Sequence, residues 1–195
     1  MARPRKKEGL FSKKNVITFI IVFIMISSAA GFIFSGSDRQ TYEYNNIKYS
    51  YLNNAFVFKI NGKKVYFRND PEYIENIKMD SKIVDSVLNT KVVYLTYNPF
   101  NNLSGSIDLA RYEISEDLAN DFDIYTVNGA VVENQNLPLI TCGNATESIP
   151  VIEMRKSNET RITMNENCII FEAKTDFEML ELKDRLMYGL YGIIK

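Results

Sequence analysis

The chain has no histidine. That removes the commonest general base, the usual zinc ligand and any Ser-His or Cys-His pair. The thiols left are Cys142 and Cys168. Cys142 sits in Thr-Cys-Gly-Asn, without the cation or base that would activate a nucleophilic sulfur. In an oxidising compartment the two would pair instead, closing a loop worth roughly 3–4 kcal/mol on the chain-entropy view. Two separate buried thiols are the alternative. Two cysteines without histidine supply too few ligands for a metal. No Gly-rich phosphate loop, Walker pattern, EF-hand or zinc spacing occurs, so no cofactor and no metal is expected.

Carboxylates offer the remaining acid–base chemistry. Asp108 with Glu113, Glu116 with Asp117, and Glu178 with Glu181 are the close pairs, and all read as the solvated faces of helices. Glu172 stands among apolar neighbours in CIIFEA and reads as an outward-facing strand position. No catalytic residue is assigned. Three Asn-x-Ser/Thr sequons, at Asn102, Asn144 and Asn158, fall in expected loops and are candidate N-glycosylation sites. Tyr42, Tyr44, Tyr49, Tyr51, Phe56 and Phe58 could form an aromatic binding face. Cross-strand pairing within an ordinary sheet accounts for the same pattern.

These residues must be held by an α/β or α+β unit. An antiparallel meander is expected over Tyr42–Phe67, with turns at Asn45-Asn46, Asn53-Asn54 and Asn61-Gly62. A helix starts at Asp70-Pro71, and Ser81 caps a second. Val92–Tyr97 is a buried strand. A helix over Ile107–Phe122, capped by Ser104 or Ser106, leads to a strand over Ile124–Val127 that Asn128-Gly129 closes. Strand, helix, strand then makes a parallel crossover. Further strands are expected at Leu139–Cys142, at Val151–Arg155 paired with Arg161–Met164, and at Cys168–Ala173. A last helix opens on the capping box Thr175/Glu178 and carries an apolar stripe from Met179 to Ile193. The expected architecture is the meander followed by a mixed sheet with two main covering helices.

Val16–Phe34 is a run of nineteen residues without a charge. At about 1.5 Å per residue it spans about 28 Å, close to the roughly 30 Å hydrocarbon core. Six basic residues and one acid precede residue 15, which places the N-terminus on the cytoplasmic side. The expected organisation is a basic cytoplasmic segment (1–15), a transmembrane helix (16–34), a tether (35–41) and an exported α/β domain (42–195). A cleaved signal peptide is the rival, with Ser28 and Ala30 before a cut at Gly31, although Phe32–Phe34 continue the apolar run. Beyond residue 14 the chain keeps 17 basic against 23 acidic residues, a formal charge of −6, which argues against nucleic acid as a partner.

YEYNNIKY, the hairpin with INGK, and the later ITCGNAT, PVI, NET, NCIIFEA and KDRLMYGLYGII resemble uncharacterised single-pass membrane-anchored proteins of small-genome archaea. The resemblance implies a cell-surface location and no known activity. The expectation is therefore a non-enzymatic membrane protein presenting a binding or structural domain at the cell envelope. Its partners would be the lipid bilayer through residues 16–34 and an envelope protein or a second copy. The alternatives are a membrane-tethered carboxylate-based hydrolase and an accessory subunit whose Ser27–Gly31 patch packs against other helices.

Overall fold

Three two-residue turns set the first sheet. Asn45 and Asn46 take φ of 48° and 64°, Asn53 and Asn54 52° and 60°, and Asn61 and Gly62 49° and 85°. Positive φ at both central residues is the turn whose twist matches antiparallel strands, and Asn and Gly adopt it at least cost. In the computed structural model, which describes residues 13–34, 40–133 and 136–195, these turns join β1 (Thr41–Tyr44), β2 (Ile47–Leu52), β3 (Ala55–Ile60) and β4 (Lys63–Phe67). The four pair in sequence order as an antiparallel meander, as expected.

The chain divides into two units, residues 1–40 and Thr41–Lys195. In the first, α1 (Lys13–Phe34) is a 22-residue helix. Its described side chains, over residues 16–28, include ten large apolar ones from Val16 to Ile26 that are all exposed. Among the described residues, no helix is long and apolar enough to cross a membrane. The basic segment up to residue 12 and the tether over 35–39 lie outside the described residues.

In the second unit two short helices follow the meander. α2 (Pro71–Ile74) is capped by Asp70, whose side chain accepts from Glu72 N. α3 (Ser81–Leu88) is capped by Asp80 rather than by Ser81, because the Asp80 carboxylate is the group that accepts from Lys82 N. Then come β5 (Val92–Tyr97), α4 (Ser104–Phe122), β6 (Tyr125–Ala130), β7 (Val151–Lys156), β8 (Arg161–Asn165), β9 (Cys168–Ala173) and α5 (Asp176–Leu190). Neither Ser104 nor Ser106 caps α4. Leu103 holds that place with no side-chain bond, and Ser106 turns back to Leu103 O at 2.9 Å. The second sheet runs β6-β5-β7-β9-β8, parallel except for β8. The β5-α4-β6 crossover is present.

Three further expectations are corrected. β6 continues through Asn128-Gly129, because its register with β5 holds to Tyr97↔Ala130. Leu139–Cys142 is not a strand: Leu139 makes one isolated bridge to Ala130, and Thr141 caps a short 3-10 turn over Cys142–Asn144. β7 and β8 are not partners, since β9 lies between them, parallel to one and antiparallel to the other.

The main core runs from the meander through α5 to β5, β7 and β9. Tyr188 of α5 stacks on Phe67 (centroids 3.8 Å apart) and meets Phe58 edge-on at 5.6 Å. The same helix contacts α2, α3, α4 and β9. It is buried nearly all round from Met179 to Leu190, not along a single stripe, because it has a neighbour on every side. Gly192 (φ 70°) ends it. Its N–H bonds Gly189 O and that of Ile193 bonds Tyr188 O, both at 2.9 Å, which satisfies the last carbonyls.

Candidate functional site

Burying α5 on all sides buries its charges. Asp184 is fully buried. Its Oδ2 accepts from Arg68 N, Asn69 N and Asn69 Nδ2, each at 2.9 Å. Its Oδ1 faces Lys183 Nζ at 2.8 Å as an ion pair without hydrogen-bond alignment. Lys183 Nζ also reaches Glu113 Oε2 on α4 at 3.0 Å, and Glu113 Oε1 pairs with Arg68 Nη2. The result is a chain of alternating charge, Arg68–Glu113–Lys183–Asp184, joining the end of β4, α4 and α5. Burial opposes a charge on Glu113, but Arg68 and Lys183 outweigh it and hold the carboxyl below its ordinary range. Burial also works against the Lys183 ammonium, and Asp184 and Glu113 more than restore it.

Arg68, Glu113 and Lys183 of this network line a cleft of about 410 Å³ between the Asn53-Asn54 turn, β4 and α4. Exposed Tyr66 and Tyr112 stand on its rim, and Glu116 and Asp117 line it. Asp117 differs from its neighbours. Burial pushes its carboxyl up to about 6, the nearby Lys183 offsets part of that, and Glu113, Asp121 and Asp184 add to it. Two carboxylates one helical turn apart are therefore driven in opposite directions, an arrangement that enzymes use to separate acid from base. Glu113, however, already faces two cations. Asp117 is the carboxylate of the cleft whose proton is held more tightly than usual.

Of the other tempting pairs, Glu178 and Glu181 line one hollow with Tyr73 and Arg161, while Asp108 and Glu113 have separate partners. Asp108 bonds Arg111 at 2.9 Å. Glu178 closes the α5 capping box, accepting from Lys174 N and Thr175 N at 2.9 and 3.0 Å. Glu181 is buried, against the expectation of a solvated face, and burial raises its carboxyl despite a bond from Tyr73.

Glu172 is likewise buried rather than outward-facing. It lies in register with Arg155 on β7 and Arg161 on β8. Arg155 reaches Oε1 through Nη2 at 2.8 Å, and Arg161 reaches Oε2 through Nε at 2.5 Å. Burial would raise this carboxyl; the bonds from Arg161 and Arg155 outweigh it and lower it. Both oxygens are occupied, so the group ties three strands together.

The aromatic residues of the meander mostly pack. Tyr49 stacks on Phe58 at 4.6 Å and on Tyr42 at 5.4 Å, and its hydroxyl donates to Asp70 at 3.0 Å. Tyr44 donates to Glu75 at 2.7 Å. Tyr51 and Phe56 pair at 4.9 Å across β2 and β3. Cross-strand pairing accounts for this face.

Cys142 and Cys168 lie at disulfide distance, Sγ–Sγ 1.95 Å and Cα–Cα 5.3 Å. They fix the 3-10 turn to the start of β9, where Ile140, Val151 and Cys168 form a small second core away from the helices. Glu153 on β7 places Oε2 3.2 Å from Cys142 Sγ, a neighbour that nothing in the local sequence of either cysteine announces. Asn102, Asn144 and Asn158 are exposed, in a turn, the 3-10 turn and a bend. Asn144 also accepts from Thr141 N at 2.9 Å.

Sequence reasoning missed Lys183, Asp184 and Arg68. Charged residues at helical spacing read as a solvated face unless the helix is known to be central. No family model, curated protein or solved structure matches the chain.

Proposed function

We propose that the chain is a non-enzymatic single-pass membrane protein. α1 lies in the bilayer with its N-terminus cytoplasmic, and the unit from Thr41 onward is an extracytoplasmic binding or structural domain at the cell envelope. The observation that carries this reading is the run of exposed apolar side chains from Val16 to Ile26 on α1. A helix apolar on all sides needs lipid or protein around it. The described side chains alone fall short of a span, and the uncharged sequence through Phe34 supplies the rest of the roughly 20 residues required. Cysteines at disulfide distance and the acidic balance beyond residue 14 fit an oxidising exterior. Envelope proteins or a second copy are the partners this reading entails. Protease added to intact cells should degrade residues beyond 40; protection until lysis would reverse the orientation. Carbonate extraction should leave the chain in the membrane pellet, and its release would remove the anchor.

A second reading, a tethered carboxylate-based hydrolase, rests on Asp117 in its cleft. Its test is a panel of chromogenic glycosides and esters, with hydrolysis lost in Asp117→Asn. The charge-matched state of Glu113 weighs against it, because the second carboxylate of such a mechanism is already taken.

A further inference from the structure

The fold brings a third metal-ligating group to the cysteine pair. Ligand atoms of Cys142, Cys168 and Glu153 all lie within 4.8 Å of one another, and Glu153 Oε2 is 3.2 Å from Cys142 Sγ. We propose that the dithiol form of this chain binds one thiophilic divalent cation, such as Zn2+ or Co2+, through the two thiolates and Glu153 Oε2, with water as the fourth ligand. The inference does not rest on the membrane reading and concerns the reduced chain, before the cystine forms.

The donor set is chemically suited. Thiolate and carboxylate both ligate zinc, at about 2.3 and about 2.0–2.2 Å, and tetrahedral geometry then separates neighbouring ligand atoms by roughly 3.5 Å, a spacing this cluster can reach. The three donors come from separate elements, the 3-10 turn, the start of β9 and the middle of β7, so packing holds them together. Cys168 is 2% exposed and sits in the second core with Val151 and Ile140, which shields one side of the site. Glu153 is oriented by Arg155, whose Nη1 lies 3.7 Å from the other oxygen, Oε1. Arg155 makes its closer bond to Glu172 at 2.8 Å, so it steers Glu153 without occupying Oε2. The cystine and the metal site are mutually exclusive uses of the same sulfurs. A phosphine opens the disulfide with water: the phosphine is oxidised to its oxide, and the two sulfurs gain two electrons and two protons. Binding the cation then releases those two protons.

The test uses the full chain in detergent, reduced with a water-soluble phosphine and titrated with Co2+ alone. Expected are one equivalent bound, a sulfur-to-cobalt absorption band in the near ultraviolet, release of two protons, and displacement by Zn2+. The unreduced chain should show no band. Glu153→Gln, which keeps the shape and removes the charge, should weaken Co2+ at least tenfold, and Cys168→Ser should abolish the band. Affinity unchanged in Glu153→Gln, or no band in the reduced chain, overturns the proposal. So does loss of the far-ultraviolet helix signal on reduction that metal does not restore.

Discussion

A Cβ built on Gly129 would stand 2.6 Å from Ile140 Cβ and under 3 Å from two more of its side-chain atoms. The constraint is space, not backbone angle, and it explains why an Asn-Gly that reads as a turn lies inside β6. Gly129→Ala should destabilise by about 1–3 kcal/mol, the usual range for overpacking, seen as a lower urea midpoint at unchanged slope. Asp117 carries a prediction of opposite sign. Its carboxyl rises from 3.8 to about 6 on folding, so the folded state binds the proton more tightly. Its contribution therefore favours folding at low pH and is lost as pH rises from about 4 to about 6. Asp117→Asn should be more stable than the parent by about 1–2 kcal/mol at pH 7, allowing for partial solvent screening, with the gap closing below pH 4. Urea titrations of both proteins across that window check it; a gap independent of pH would mean that the carboxyl does not titrate there. Neither Asp117 nor Glu172 was legible from neighbours in sequence, because what sets each arises only on folding: burial for Asp117, and the bonds from Arg161 and Arg155 for Glu172.

At the level of elements, short-range chemistry was readable and placement was not. The Asn turns, the proline start of α2 and the Thr175/Glu178 box were plain in the sequence because each depends on residues within four positions. The central position of α5 was not. Its apolar stripe from Met179 to Ile193 was visible, but Glu181 read as a wet face and Lys183, Asp184 and Arg185 were not singled out, because their burial depends on α2, α3 and α4 packing around the helix. That placement gives a strong test. Asp184→Ala would leave Arg68 N and Asn69 N without their acceptor and take one of two carboxylates from buried Lys183. Breaking such a network should cost about 3–5 kcal/mol, several times an exposed pair. Lys63→Ala, which breaks the exposed bridge to Asp121 at 2.7 Å, should cost no more than about 1 kcal/mol. If the two variants unfold at the same urea concentration, the α5 network is not what holds the helix.

Across the unit from Thr41 onward, the helices and the 3-10 turn segment cover opposite faces of the second sheet. Core residues such as Leu95, Ile152 and Phe171 meet the helices, while Val151 and Cys168 meet Ile140 on the other side. A helix-free face needs some other cover, and here a loop with one isolated bridge and one short turn provides it. Thr96 Oγ1 donates to Ile140 O at 2.6 Å and Thr90 Oγ1 donates to Ser148 O, and the cystine is the covalent tie of this segment to β9, so its attachment should weaken without the cystine. The order β7-β9-β8 was illegible for the related reason that a strand inserted between two others leaves no local mark. The cysteine pairing was legible because only two cysteines exist. With a sequence separation of 26, the cystine should contribute about 3.5 kcal/mol by restricting the unfolded chain. The double variant Cys142→Ala, Cys168→Ala should lose about that much in urea titration while keeping its far-ultraviolet spectrum, since neither side chain enters the main core. Its amides from 138 to 149 should exchange faster with solvent, and those of β5 and α5 should fall only with global stability. Exchange accelerated equally throughout, with no excess in 138–149, would show that the loop stays in place without the cystine and that the bond acts on the unfolded chain alone.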